Sequence, residues 1–260
     1  MKSLVLTTIL SSVLLSSCAT SPLGRNQVAF LPDEQMSQMG IQAFGELKQK
    51  TPIETSSQIN NYVKCIANAI IKETGGQWEI VVFKDDSANA FALPGSKIGV
   101  HTGILKVAQT PSQLAAVIGH EIAHVLSKHS NERASQEMLV NEGLSLTKGF
   151  LGAKGADPTV AAVLGLGAEV GILLPYSRTH ESEADLYGLD LMAKAGFDPR
   201  ESVQLWENMS KASGEKSSLP FLSTHPSHSN RIQDLQKRIP NAMTLYNQAK
   251  AAGKNPSCKL

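Results

Sequence analysis

The sequence predicts a mainly helical α+β fold, and two observations predict it. Helical patterning covers Asp33–Lys50 and Ser57–Glu73 and returns from Thr110 onward, whereas β-branched and aromatic residues concentrate between Trp78 and His101. With 42% hydrophobic residues, the 260-residue chain can bury one substantial core. Lys and Arg (24) balance Asp and Glu (23), leaving a net charge of +1 and no basic stripe, so nucleic acid is not an expected partner.

Each element has a local reason. Thr51-Pro52 breaks the first helix, and Ser57 opens the second. Trp78–Phe83 reads as a strand by composition, and Asn89–His101 as two strands around the Pro94-Gly95 turn. Thr110-Pro111-Ser112-Gln113 offers a hydroxyl N-cap, a proline at the first helical position and a glutamine for a capping box. Ala115, Ile118, Ile122 and Val125 then form an apolar stripe at helical spacing, which predicts one buried side and one carrying chemistry. Thr159–Leu174 has Glu169 as its only charge and is shorter than the ~20 residues that cross a bilayer, so it reads as a buried helix, with a mobile cover as the alternative.

The chemistry lies in His120-Glu121-Ile122-Ala123-His124. Histidines four apart project from one helix face and can close on a single metal ion, and Glu121 beside them can act on a water there. Ser127 and Ser130 stand where a continuation of the motif would need Gly and His, and His129 sits at a poor angle for the same metal, so it reads as exposed. A third ligand is found in Tyr176–Asp185. Glu181 and Asp185 share a helical face with Ala184 and Gly188, whose small size allows close approach to a neighbour. Glu181 as ligand leaves Asp185 to hold a metal histidine through its second ring nitrogen. Glu183, on the side of Tyr187, Asp190 and Lys194, reads as solvated.

H-E-I-A-H, S-R-T-H-E-S-E-A-D-L-Y-G and S-T-H-P-S-H-S-N-R together resemble the M48 metallopeptidases, most of all their small periplasmic lipoprotein members, from about Asn26 to Ile239. The resemblance implies a gluzincin-type zincin domain, a small sheet lying over the H-E-x-x-H helix. It implies one Zn2+ per chain on His120, His124 and Glu181, with Glu121 as general base and Asp185 behind the ligands. It also implies that Asn89, Ala90, Phe91 and Ala92 form an edge strand on which an extended polypeptide substrate pairs; an internal strand without a binding role is the alternative. His225-Pro226 with Arg231 matches the family's H-P…R element and places both residues among the catalytic expectations. His225 would donate to the oxyanion of the scissile carbonyl, or occupy the open metal position and hold the enzyme latent. His228 reads as exposed and His101 as structural.

Met1-Lys2 followed by Leu4–Leu15 has the form of a signal peptide, and Leu15-Ser16-Ser17-Cys18 resembles a bacterial lipobox with lipid on Cys18. Alanine after Cys18 fits sorting to the outer membrane, with the domain tethered to the membrane and facing the periplasm. Cys65 and Cys258 then remain as a disulfide pair, or as two unpaired thiols. The expected division is a signal peptide at 1–17, a lipid-anchored linker at 18–32 and a catalytic domain at 33–260. The expected function is a zinc endopeptidase of the bacterial cell envelope that cleaves misfolded or damaged proteins. The rival is a non-proteolytic chaperone or assembly factor partnered with outer-membrane assembly machinery.

Overall fold

A hairpin begins the described chain, pairing β1 (Cys18–Thr20) with β2 (Asn26–Val28) in antiparallel register. The computed structural model describes residues 18–150, 176–213, 219–226 and 230–260. The leader, Thr159–Leu174 and His228 lie outside these residues.

Helix α1 (Asp33–Lys50) carries Asp33 and Glu34 in its first turn and Lys48 and Lys50 in its last, the order its dipole favours. Helix α2 (Ser57–Thr74) is capped by Ser56, whose side chain accepts the Ile59 N–H, and it stops at Gly75 with φ 74°.

A three-stranded sheet follows, built from β3 (Glu79–Phe83), β4 (Ala90–Leu93) and β5 (Lys97–His101). The strand order is β3-β5-β4, with β5 parallel to β3 and antiparallel to β4, so β4 is an edge strand. Alternation of side chains divides its faces. Phe83, Phe91 and Leu93 pack with Phe44 of α1, while Val82, Ala90, Ala92, Ile98 and Val100 join the main core with α2.

That core surrounds α3 (Pro111–Leu126), which bears the H-E-x-x-H residues. Its start has the local chemistry the sequence predicts: Thr110 Oγ1 accepts the Gln113 N–H, while the Gln113 side chain reaches one residue further back, to the Gln109 N–H. Every residue from Gln113 to His124 is buried, so α3 has no open side. Later helices close around it, namely α4 (His129–Phe150), α5 (Arg178–Lys194), α6 (Glu201–Ser213), α7 (Pro220–Thr224) and α8 (Arg231–Ala251). The sequence stripe marks the side toward the core but not the helices that cover the other side.

The architecture is the mainly helical α+β arrangement that the sequence predicts, with its small sheet against the H-E-x-x-H helix. Cys65 in α2 and Cys258 in the tail form a disulfide across a Cα separation of 5.7 Å. Among the described residues, no helix is long and apolar enough to cross a membrane.

Candidate metal centre

Helices α3 and α5 touch backbone to backbone. A Cβ on Gly188 would lie 2.7 Å from the His120 nitrogen and 2.8 Å from the Gly119 carbonyl carbon, so only glycine fits at this crossing. The close approach carries the first turn of α5, where Ser177 caps the helix by accepting the His180 N–H, onto the histidines of α3.

Four buried donors result: His120, His124, Glu181 and His225. His120 Nε2 is 3.0 Å from His124 Nε2 and 3.5 Å from Glu181 Oε2. Glu181 Oε1 is 3.3 Å from His124 Nε2 and 3.1 Å from His225 Nδ1, and His225 Nδ1 is 3.2 Å from His120 Nε2. Donors around a tetrahedral zinc at ~2.0–2.1 Å stand about 3.3 Å apart, so this set has the size and chemistry of such a site. Burial holds the His124 imidazole well below its usual pKa, in the neutral form a metal requires. Burial alone would raise the Glu181 carboxyl, but the facing imidazoles of His124, His225 and His120 outweigh it and hold the group far below the usual carboxylate range.

Glu121 lies at the edge of this cluster. Its Oε2 accepts the Ala92 N–H from edge strand β4 at 3.2 Å, and its Oε1 has no hydrogen-bond partner among the described residues while standing 3.3 Å from His225 Nε2. Burial pushes its carboxyl up. Burial would lower His225, but the facing carboxylates of Glu121 and Glu181 outweigh it and raise that group. Helix α7 brings His225 there, tied to the strand edge by the Phe221 N–H donating to the Ala88 carbonyl.

Behind the donors, His120 Nδ1 is 2.9 Å from Asp185 Oδ1. Arg231 donates from Nη2 to both Glu181 and Asp185, at 2.8 Å each, and lies over the Trp206 ring at 3.5 Å. Arg231 is 2% exposed, so it faces the two carboxylates rather than an open cleft. Phe91 points to the opposite sheet face from Ala90 and Ala92, into the Phe44 cluster, and Asn89 is buried just before β4. His101 is held by Ser87 Oγ at 2.8 Å, away from the cluster.

Two residues read as exposed are buried. His129 is fully enclosed, with its Nδ1 2.9 Å from His124 Nδ1. Its position counted along one continuous helix is misleading, because α3 ends at Leu126 and Lys128 at φ 53° turns the chain before α4. Glu183 is 6% exposed and meets both His129 and Arg25, because the β1–β2 hairpin covers the side of α5 that helical geometry alone would leave to water. Tyr176 stacks on His124 at 4.0 Å, a contact that helical period does not report.

A family model, Peptidase family M48, matches residues 54–239. The chain belongs to that family. Among known proteins, this M48 chain is 38% identical to the "Mitochondrial metalloendopeptidase OMA1" of Schizosaccharomyces pombe, over 70% of the chain and 53% of that protein. It is 35% identical to the Saccharomyces cerevisiae protein of the same name, over 67% and 51%. A "Putative beta-barrel assembly-enhancing protease" of Vibrio cholerae is 27% identical, over 74% and 41%. The chain thus spans about half the length, or less, of these relatives. The expected outer-membrane location is corrected by this comparison: the relatives at 38% and 35% identity are named mitochondrial, and the bacterial ones are more distant. A charged start with a short apolar run does not say which membrane the protein serves.

Proposed function

We propose that this M48 chain is a zinc-dependent endopeptidase that cleaves extended segments of misfolded or damaged proteins. The observation that carries the reading is the convergence of four buried donors beside an unpartnered Glu121 carboxylate oxygen and an edge strand.

His120, His124 and Glu181 would hold the zinc, with His225 in the fourth position. A zinc ion there supplies Lewis acidity, which lowers the pKa of water and polarises a carbonyl. The substrate backbone meets β4. The His101 N–H donates to the Asn89 carbonyl, so Asn89, Phe91 and Leu93 bond toward β5 and the peptide groups of Ala90 and Ala92 point the other way, where a substrate strand would replace the contact of the Ala92 N–H with Glu121. Strand addition along that edge recognises backbone rather than particular side chains, which suits unfolded segments. Glu121 takes a proton from the attacking water and delivers it to the leaving amine nitrogen as the C–N bond breaks. Its burial raises the carboxyl pKa, the direction that strengthens it as a base. A binding-only role would leave Glu121 without a task.

The test is casein digestion by the purified protein, with zinc content measured alongside. One zinc per chain and loss of cleavage on chelation are expected. Glu121→Gln should keep zinc and fold while losing on the order of 10²–10⁴ in rate. Near-normal cleavage by that variant would remove Glu121 from the mechanism.

A further inference from the structure

Each metal histidine of α3 is held from behind, and the two supports differ. His120 Nδ1 meets Asp185, which Arg231 of α8 clamps. His124 Nδ1 meets another histidine: His129 Nδ1 lies 2.9 Å away, and His129 Nε2 lies 3.2 Å from Glu183 Oε2. The same Glu183 oxygen accepts the Arg25 Nε–H at 2.7 Å. Arg25 also grips Glu132 with both Nη atoms, at 2.8 and 2.6 Å, and Glu132 meets His180 Nε2 at 2.9 Å. The His129 and His180 rings stack with centroids 4.6 Å apart, closing the assembly.

With His129 neutral, hydrogen-bond complementarity orders the protons along this chain. A carboxylate only accepts, so His129 must donate its Nε2–H to Glu183. A neutral His129 then has a bare Nδ1, which can only accept, so His124 must donate its Nδ1–H. That leaves the lone pair of His124 on Nε2, the atom facing Glu181 and His120. The opposite tautomer would put a hydrogen where the metal belongs.

Resting on the metal-site reading above, we infer that Arg25, Glu183 and His129 are positioning residues for the metal centre. They fix the ring orientation and tautomer of His124, so the β1–β2 hairpin is part of the metal-binding unit. Residues 18–32 are therefore more than a linker, since Arg25 reaches into the buried site from the hairpin. The family match begins only at residue 54, so His129 and Glu183 lie inside the matched region and Arg25 outside it.

The experiment measures zinc affinity of the full chain by chelator competition, together with the visible absorption of the cobalt-loaded protein. Arg25→Met and His129→Leu are each expected to weaken zinc binding about 10–100-fold and to alter the cobalt bands. His129→Asn, which keeps an acceptor oxygen near the Nδ1 position, should recover most of the affinity lost in His129→Leu. Arg238→Met strips a comparable ion pair from Asp190 on the same helix α5, and it should leave both readouts unchanged. Wild-type affinity and spectrum in folded His129→Leu would overturn the inference, as would equal weakening by Arg238→Met. Should Arg25→Met not fold, the Leu and Asn variants at 129 decide. A wild-type chain that takes up no zinc would instead overturn the metallopeptidase reading, and this inference with it.

Discussion

His225 faces two ways: its Nε2 stands 3.3 Å from Glu121 Oε1, and its Nδ1 stands 3.1 Å from Glu181 Oε1. One ring therefore touches both the carboxylate placed as base and the carboxylate placed as ligand. An oxyanion donor would have to aim at a substrate carbonyl, whereas Nδ1 here completes a set of four donors spaced for one ion. The arrangement favours a resting state in which His225 closes the site. If the open form is about a tenth of the population or less, His225→Ala should raise casein cleavage about tenfold or more without loss of zinc. A fall in turnover of ~10²–10³, with zinc retained, would assign His225 to the oxyanion instead.

The Gly119–Gly188 crossing sets where Glu181 falls. At Gly188 an added methyl meets the His120 backbone, which cannot yield without moving the metal helix. Gly188→Ala should therefore cost about 1–3 kcal/mol, lower the melting temperature, and reduce zinc content because α5 is displaced from His120 and His124. Unchanged stability and zinc content would mean that the two helices separate more easily than their contact implies.

His120, His124 and Glu181 were legible because helical period fixes which side chains share a face, and Gly188 because a small residue on that face permits contact. The sheet was legible from its β-branched run and the Pro94-Gly95 turn. His129 and Glu183 were not, for a physical reason. Their burial depends on a chain reversal at Lys128 and on a hairpin more than a hundred residues away in sequence, neither of which periodicity reports. Burial of α3 on every side was hidden for the same reason, since α5 and α6 come from later in the chain.

The Cys65–Cys258 bridge joins residues 193 apart and fastens the tail after α8 to α2. Closing so long a loop restricts the unfolded chain, so Cys258→Ser should cost about 2–4 kcal/mol in unfolding free energy. Zinc content should not change, because neither cysteine touches the donor cluster. Equal denaturation midpoints for the oxidised wild type and Cys258→Ser would show that the bridge contributes nothing to stability.

Glu183 also gives the fold a dependence on acid. Burial alone would raise its carboxyl pKa, but hydrogen bonds from His129, Ser21 and Arg25 outweigh it and hold the group at about 2, against 4.5 for an ordinary glutamate. A depressed pKa means that the unfolded chain takes up this proton first as pH falls, so folding stability rises with pH across the interval. The contribution of Glu183 is complete above about 4.5 and is lost as pH falls toward 2. In chelator-treated protein, the stability difference between wild type and Glu183→Gln should be largest near neutral pH and shrink steadily below 4.5. A difference that stays constant with pH would mean that the carboxylate charge, and with it the Arg25–Glu183–His129 contact, adds nothing to the folded state.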